Sequence, residues 1–238
     1  MALIFRKRLI RPRPPGMTRD EIQLGEVRRL APRLRPRPDQ GEPCTVVCCG
    51  HRSEHELSIF ISWTALQSLR NHLGSDSEVE LAGVLVGDQC HDDQARPFVV
   101  VTHSLAAQDY ENSSGRFTFT HSTWDLIARQ VDQLSSGGRI IGWYHSHPGW
   151  GVFLSDRDHF ICEHFFSGAF DIAIVVDSQR NQLGLFHRSS LSSGGMRPAT
   201  ACTVFAPSEE GRELPAEGFP DPLRFFAGSS GEAVGGEQ

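Results

Sequence analysis

The sequence predicts a single domain of the α/β (α+β) class, in which a mixed β-sheet is flanked by helices and both ends of the chain form disordered arms. Three observations lead to this prediction. Segments with a strand pattern outnumber those with helical spacing, two amphipathic helices are separated by a cluster of strands, and proline or glycine accumulates towards both termini. The 238 residues, of which 39% are hydrophobic, suffice for one core of ordinary size.

The periodicity of apolar residues predicts each element in turn. ELSIFIS alternates as a strand does, and SWTALQSLRNHLG continues as an amphipathic helix that begins after Ser62 as its N-cap and ends at Gly74. Helical spacing also covers residues 122–134 and 155–166. Further strands are predicted at 44–49, 80–87, 97–104, 116–121, 139–147, 171–178, 182–188 and 201–207.

The N-terminal arm is basic and rich in proline. Residues 1–37 contain eleven Lys or Arg against three acidic residues, whereas the whole chain carries a net charge of −6. Such an arm could bind nucleic acid or an acidic partner protein. We favour the alternative of a solvated tail that folds back on the acidic remainder of the chain. We therefore expect no nucleic-acid partner. The predicted division is an Arg/Pro-rich extension over 1–54, a folded domain over 55–206 and a flexible tail over 207–238.

The sequence favours a cytoplasmic protein without a membrane partner. No stretch approaches eighteen apolar residues, and MALIFRKRLI places its basic residues after the apolar run, the reverse of a signal peptide. The six cysteines lack the dense spacing of a disulfide scaffold. A single lysine beside 22 arginines is typical of a GC-rich, bacterial source.

The strongest chemical signal is GWYHSHPGWGVFLSDRD, residues 142–158. Residues two apart on a strand point to the same side, so His145 and His147 converge while Ser146 points away. Ser155 and Asp158 have the spacing of a capping pair at the start of the next helix, which by itself would explain both. Beside two histidines that face the same way, Asp158 also suits a third ligand for zinc, which accepts imidazole and carboxylate.

The whole string is His-Ser-His-Pro, six intervening residues, Ser155, two intervening residues and Asp158. It resembles the JAMM motif of the JAB1/MPN/Mov34 metalloprotease family. It is most similar to the MPN+ deubiquitinase and deneddylase members, and the composition favours a bacterial one. The resemblance covers about residues 56–190 and implies an MPN, cytidine-deaminase-like fold for the domain over 55–206. It also implies one zinc ion per chain, held by His145, His147 and Asp158.

The resemblance also implies roles for residues outside the ligand set. A general-base glutamate is expected on an earlier strand, where ELAGVLVG supplies Glu80, with Glu78 as the alternative. Ser155 is implied to donate to the substrate's carbonyl oxygen as negative charge develops there. We interpret the aromatic residues that flank the motif as substrate-binding, with core packing as the alternative: these are Trp143, Trp150 and Phe153. Residues 105–115 are predicted as a polar loop that gates the site.

The implied activity is zinc-dependent hydrolysis of the isopeptide or peptide bond after the C-terminal glycine of ubiquitin or a ubiquitin-like protein, in deconjugation or precursor processing. The implied partners are that modifier, its conjugates and proteins of the conjugation machinery. The alternative is a peptidase that releases an amino acid or peptide from a sulfur-carrier-type protein. A non-catalytic scaffold is disfavoured, because none of the five residues that the resemblance assigns to catalysis or zinc binding is substituted. These are Glu80, His145, His147, Ser155 and Asp158.

A second metal site is a weaker hypothesis. Cys44, Cys48, Cys49 and His51 are close in sequence, but the CxxxCC spacing is not a usual structural zinc pattern.

Overall fold

A computed structural model describes residues 31–40, 44–53, 56–108, 111–113, 116–134, 138–188 and 195–207. The remainder of the two predicted arms lies outside the described residues. The helices are α1 (Trp63–Leu73), α2 (His121–Gln133) and α3 (Asp156–His164). The strands are β1 (Arg33–Leu34), β2 (Cys44–Gly50), β3 (Ser58–Ser62), β4 (Ala82–His91), β5 (Pro97–Ala106), β6 (Glu111–Ser113), β7 (Arg116–Thr118), β8 (Arg139–Ser146), β9 (Ile172–Asp177), β10 (Gln182–Arg188), β11 (Met196–Pro198) and β12 (Ala201–Pro207).

In the described part of the chain, ten strands form one mixed sheet. Their order is β11-β10-β9-β8-β4-β5-β3-β12-β2, with β1 paired to β4 off this path. Strand β8 lies in the interior of the sheet, antiparallel to β4 and parallel to β9. Strands β6 and β7 form a separate antiparallel pair. The predicted mixed sheet with flanking helices is therefore confirmed.

Helices cover both faces of the sheet. Leu66 and Leu69 of α1 pack into a core on one face, whereas Ile127 of α2 and Ile161 of α3 belong to the core on the opposite face. Because side chains alternate along a strand, the odd-numbered residues near the end of β8 face α3 and the even-numbered residues face α1. Trp143 and Tyr144 show this division, since each belongs to a different core.

The predicted ends of α1 are confirmed. Ser62 Oγ accepts a hydrogen bond from Ala65 N at 3.2 Å, as an N-cap does, and Gly74 ends the helix by donating its N–H to Arg70 O at 2.8 Å. Strand β4 is longer than predicted and runs to His91, because its polar second half pairs with both β1 and β5.

The predicted polar loop over residues 105–115 is wrong for two described parts of that segment. Strand β5 continues through Ala106, and Glu111–Ser113 form β6, which pairs with β7. A polar composition does not prevent pairing, since the backbone supplies the hydrogen bonds of the ladder.

Part of the basic arm packs on the domain. Arg33 Nη1 lies 3.0 Å from Asp88 Oδ1, and Arg35 Nη1 lies 3.9 Å from the other carboxylate oxygen. Strand β2 pairs with β12, as expected for an added strand. The sheet thus includes residues on both sides of position 55, and the division of the chain at 55 and 207 stays a prediction.

No helix in the described ranges has both the length and the hydropathy that crossing a membrane requires.

Glu56 ties the first part of the fold to its last strand. Its carboxylate accepts hydrogen bonds from the backbone N–H and the hydroxyl of Thr200, the latter at 2.6 Å, and from Ser53 N at 3.2 Å. His187 Nε2 lies 4.0 Å away. Burial would raise the pKa of Glu56, but these hydrogen bonds hold it below its ordinary value.

This arrangement predicts a pH-dependent contribution to stability. Because the folded pKa is below the unfolded one, Glu56 contributes fully above the unfolded value of 4.5, and the contribution is lost as the pH falls through the folded pKa. Glu56→Gln should lower the free energy of unfolding at neutral pH by about 1–3 kcal/mol and reduce its loss in acid. Urea unfolding at neutral and acidic pH measures this. The exposed Glu163→Gln serves as control, and an unchanged acid slope in Glu56→Gln would contradict the assignment.

Candidate metal centre

The register of the sheet brings three chain segments together at one end of β8. Ala82 of β4 pairs with His145, and continuation of this antiparallel register places Glu80 opposite His147. On the other side, His147 N donates to Val176 O of β9 at 2.7 Å. The end of β8 is therefore held on both sides where the two imidazoles emerge.

His145, His147 and Asp158 form the one potential metal-binding group found among the described residues, and all three are buried. His145 Nε2 lies 3.0 Å from His147 Nε2 and 3.4 Å from Asp158 Oδ1. His147 Nε2 lies 3.6 Å from Asp158 Oδ2. The predicted ligand set thus converges on one point.

These separations match zinc. Zinc–nitrogen and zinc–oxygen bonds of about 2.0–2.1 Å in a tetrahedron place neighbouring ligand atoms about 3.3 Å apart. The 3.0 Å between the two Nε2 atoms and the 3.4 Å between His145 Nε2 and Asp158 Oδ1 lie on either side of that value, and the 3.6 Å from His147 Nε2 is to the other oxygen of the same carboxylate. Two imidazoles and one carboxylate are also a donor set that catalytic zinc accepts, and they leave a fourth position open.

The two rings are oriented in different ways. His147 Nδ1 lies 3.2 Å from Gly151 O, so this nitrogen carries the proton and Nε2 keeps its lone pair for a metal. His145 Nδ1 is buried without a hydrogen-bond partner in the described structure. Its ring stacks instead on Trp143, with centroids 4.2 Å apart and planes inclined by 9°.

Asp158 is both a capping residue and a member of the cluster. Ser155 caps α3 in a reciprocal capping box, and Ser155 N and Oγ both donate to Asp158 Oδ2 at 2.7 Å. Burial opposes ionisation of Asp158, but hydrogen bonds with His145 and His147 hold its pKa well below the ordinary value. The same contacts raise the pKa of His147 against the effect of its burial. Asp158 therefore has the contacts of a capping residue and also lies beside the two histidines, and its role as a ligand stays a prediction.

Glu80 lies beside this cluster, at the segment that leads into β4. It lines the same cleft as the two histidines, and its charge contributes to the raised pKa of His147. Glu78, the alternative base, is exposed and is not among the residues that line the cleft.

Ser146 holds the backbone on both sides of Glu80. It is buried on the α1 face, where its Oγ accepts from Leu81 N at 3.0 Å and donates to Val79 O at 3.4 Å. Ser146 N also donates to Leu81 O at 2.9 Å. The residue between the two histidines points away from the metal centre, as predicted, and there it fixes the segment that carries Glu80.

Ser146→Ala should therefore displace Glu80 without removing a ligand. We expect kcat for the activity proposed below to fall between about 10- and 100-fold, because small displacements of a reacting group have effects of this size. Zinc affinity should stay close to that of the wild type. Steady-state kinetics and a zinc titration by chelator competition measure the two effects, and a parallel loss of both would show that Ser146 acts on the whole centre.

The cleft above the centre has a volume of about 410 Å³. Trp150 and Phe153 are 54% and 44% exposed, and their rings lie 5.7 and 4.8 Å from that of His147. Trp143 is only 1% exposed and forms the floor below His145. The substrate-binding role of these three residues stays a prediction. Trp143 could contact a substrate only through the small part of its ring that is exposed at the floor of the cleft.

Sequence reasoning missed Asp177. This buried residue ends β9 and accepts hydrogen bonds from the loop after the histidines. An acidic residue directly after the apolar run DIAIVV is the signal that could have identified it, because neighbouring parallel strands end at the same edge. The predicted group of Cys44, Cys48, Cys49 and His51 does not form a metal-binding cluster within the described residues.

Fold and site together define a mixed-sheet domain with a buried His-His-Asp centre where a central strand meets the start of a helix. The sequence was compared with models of known protein families. Residues 54–165 match the family model described as JAB1/Mov34/MPN/PAD-1 ubiquitin protease.

Three curated relatives show the range of similarity. NAD(+) hydrolase TcpA of Theionarchaea archaeon (strain DG-70-1) is 30% identical over 165 residues, which are 68% of this chain and 43% of that protein. COP9 signalosome complex subunit 5 of Gibberella zeae is 30% identical over 131 residues, 53% of this chain and 36% of that one. Ubiquitin carboxyl-terminal hydrolase RPN11 of Saccharomyces cerevisiae is 29% identical over 111 residues, 45% of this chain and 34% of that one.

The chain belongs to the JAB1/MPN/Mov34 family, and its mixed α+β fold is that of a single MPN domain. It spans less than half the length of each of these three relatives.

Proposed function

We propose that the protein is a zinc-dependent hydrolase that cleaves the isopeptide or peptide bond after the C-terminal glycine of a ubiquitin-like protein. The observation that carries this proposal is the convergence of His145, His147 and Asp158 beside Glu80 in one cleft. The name of RPN11 supports the substrate class, since it describes a ubiquitin carboxyl-terminal hydrolase. The name of TcpA describes hydrolysis of NAD(+), an activity that this proposal does not include.

His145, His147 and Asp158 would hold the zinc ion. The chemistry that zinc supplies in such a site is acidification of water, whose pKa falls to about 7, and polarisation of a carbonyl group. The proton that water loses on attack needs an acceptor within hydrogen-bond reach, and the leaving amine needs a donor. Two carboxylates besides Asp158 line the cleft, Glu80 and Asp156. Glu80 lies opposite His147 in the register of β4 with β8, so we assign it to serve both needs in turn.

Ser155 is assigned to the carbonyl oxygen of the scissile bond. In this structure its hydroxyl donates to Asp158 Oδ2 at 2.7 Å, so donation to a substrate requires rotation about the Cβ–Oγ bond of Ser155. Asp158 keeps the hydrogen bond from Ser155 N when this happens. The hydroxyl can thus turn towards developing charge without leaving the carboxylate unpaired.

The exposed rings at the cleft favour a narrow, extended substrate tail. Trp150 and Phe153 stand on the side of His147, where they limit the space beside the scissile bond. Glycine residues before that bond would pass between them, while the modifier's main chain pairs with a strand edge. A bulky residue in place of the substrate's penultimate glycine should then block cleavage.

The test is cleavage of ubiquitin joined through its C-terminal glycine to a fluorogenic amine, with a sulfur-carrier protein extended by one residue as the second substrate. Wild-type protein is compared with chelator-treated protein before and after zinc is restored. Zinc-dependent release from ubiquitin supports the proposal. Release from the sulfur carrier alone would favour the alternative peptidase, and stoichiometric zinc without release from either would favour a scaffold.

A further inference from the structure

Asp177 is a buried carboxylate that the proposed reaction does not use. Its side chain is fully buried at the end of β9, one position beyond the residue that pairs with Ser146. Oδ1 accepts from Gly149 N at 3.1 Å, and Oδ2 accepts from Gly151 N at 2.6 Å. A buried charge is tolerated only when its hydrogen bonds are made, so these contacts stabilise the anion.

The same carboxylate also holds the turn after β9. Oδ1 accepts from Gln179 N at 3.1 Å and from Arg180 N at 2.9 Å, and Arg180 Nε lies 3.7 Å from Oδ2. Burial would raise the pKa of Asp177, but the backbone N–H donors hold it below the ordinary value. One ionised group therefore joins the turn after β9 to the loop that follows the two histidines.

That loop is held in a conformation that few residues adopt. Gly149 and Gly151 have φ angles of +73° and +91°, in the left-handed region that favours glycine. Their N–H groups are thereby turned towards one acceptor, the carboxylate of Asp177. An anion enclosed by successive backbone N–H groups fixes such a turn.

Gly151 connects the carboxylate of Asp177 to the metal centre through two hydrogen bonds. Its N–H donates to Asp177 while its carbonyl accepts from His147 Nδ1 at 3.2 Å. The second bond determines which nitrogen of His147 is protonated and where Nε2 points. We propose that Asp177 is a positioning residue, which through Gly151 fixes the tautomer and direction of the ligand His147.

The inference rests on the zinc centre proposed above, and it is tested by metal binding rather than by turnover. Asp177→Asn has the same shape, but a carboxamide cannot accept from both glycine N–H groups. The dissociation constant for zinc should rise about 10- to 100-fold, as is typical when a partner of a ligand is lost. The visible absorption of the Co²⁺-substituted full-length protein should shift as well, because it reports ligand geometry.

Asp171→Asn is the matched control. Asp171 is also a buried carboxylate, which accepts from Gln89 Nε2 at 2.9 Å and from Gly168 N at 2.7 Å, but it precedes β9 at the opposite end. Its replacement should leave the zinc dissociation constant and the Co²⁺ spectrum unchanged. Gly151→Ala, which keeps the carboxylate but strains the loop, should reproduce the effect of Asp177→Asn.

Several results would overturn the positioning role of Asp177. Unchanged zinc affinity and Co²⁺ spectrum in Asp177→Asn, or an equal loss of affinity in Asp171→Asn, would overturn the positioning role while leaving the zinc centre intact. Failure of the wild type to bind zinc would overturn both. If Asp177→Asn does not fold, Gly151→Ala decides, and wild-type affinity in that variant would refute the connection through the loop.

Discussion

Glu80→Gln is expected to abolish most of the proposed hydrolase activity while the protein still binds one zinc ion. Glutamine has the size of glutamate, but its amide cannot accept the proton of the attacking water. Loss of a general base lowers rates by about 100- to 10,000-fold. The zinc ligands are separate residues, so the zinc dissociation constant should change only slightly. Single-turnover cleavage of the ubiquitin fusion and a zinc titration measure the two quantities.

Glu78→Gln provides the control for this experiment. It makes the same chemical change two residues away, at an exposed side chain outside the cleft. Near-normal turnover in Glu78→Gln, together with loss in Glu80→Gln, would assign the base to Glu80. The reverse pattern would exchange the two assignments, and loss in both variants would indicate that the segment before β4 is distorted.

Asp158→Asn should remove both zinc and activity while leaving α3 in place. The amide oxygen can still accept from Ser155 N, so the cap is largely kept, but the negative charge that the two imidazoles face is gone. Loss of a ligand should weaken zinc binding more than loss of a ligand's partner does, so we expect an increase above about 100-fold in the dissociation constant. Chelator competition measures that constant, and circular dichroism checks the helix.

Asp156→Asn is the control that distinguishes direct ligation of zinc by Asp158 from the electrostatic effect of a negative charge in the first turn of α3. Asp156 is exposed in the same first turn, where an acidic side chain is favourable. Its replacement should leave zinc affinity nearly unchanged. If Asp156→Asn and Asp158→Asn weakened zinc binding equally, the field of the acidic turn would explain the result, and direct ligation would not.

Local patterns in the sequence were enough to predict that His145, His147 and Asp158 lie together, and that a capped helix carries Asp158. Alternation along a strand placed His145 and His147 on one side, and the spacing of Ser155 and Asp158 is visible without tertiary information. The structure confirms the convergence of the three predicted ligands. The placement of Glu80 depended on resemblance, since it requires the pairing of β4 with β8.

The supporting contacts could not be predicted in this way, because they join residues that are distant in sequence. Ser146 bonds to Leu81 across 65 positions, and Asp177 bonds to Gly151 across 26. Both depend on which strands become neighbours, and short-range periodicity does not contain that information. The strand β6 was missed for a related reason, since its polar residues are held by pairing with β7.

The position of β8, antiparallel to β4 on one side and parallel to β9 on the other, has a thermodynamic consequence. The site combines segments from β4, β8, β9 and α3, so an unfolded chain offers no preformed centre, and metal binding is coupled to folding of the whole domain. Free zinc at 100 times its dissociation constant would raise the free energy of unfolding by about 2.7 kcal/mol. The melting temperature would then report occupancy of the centre in the absence of any substrate.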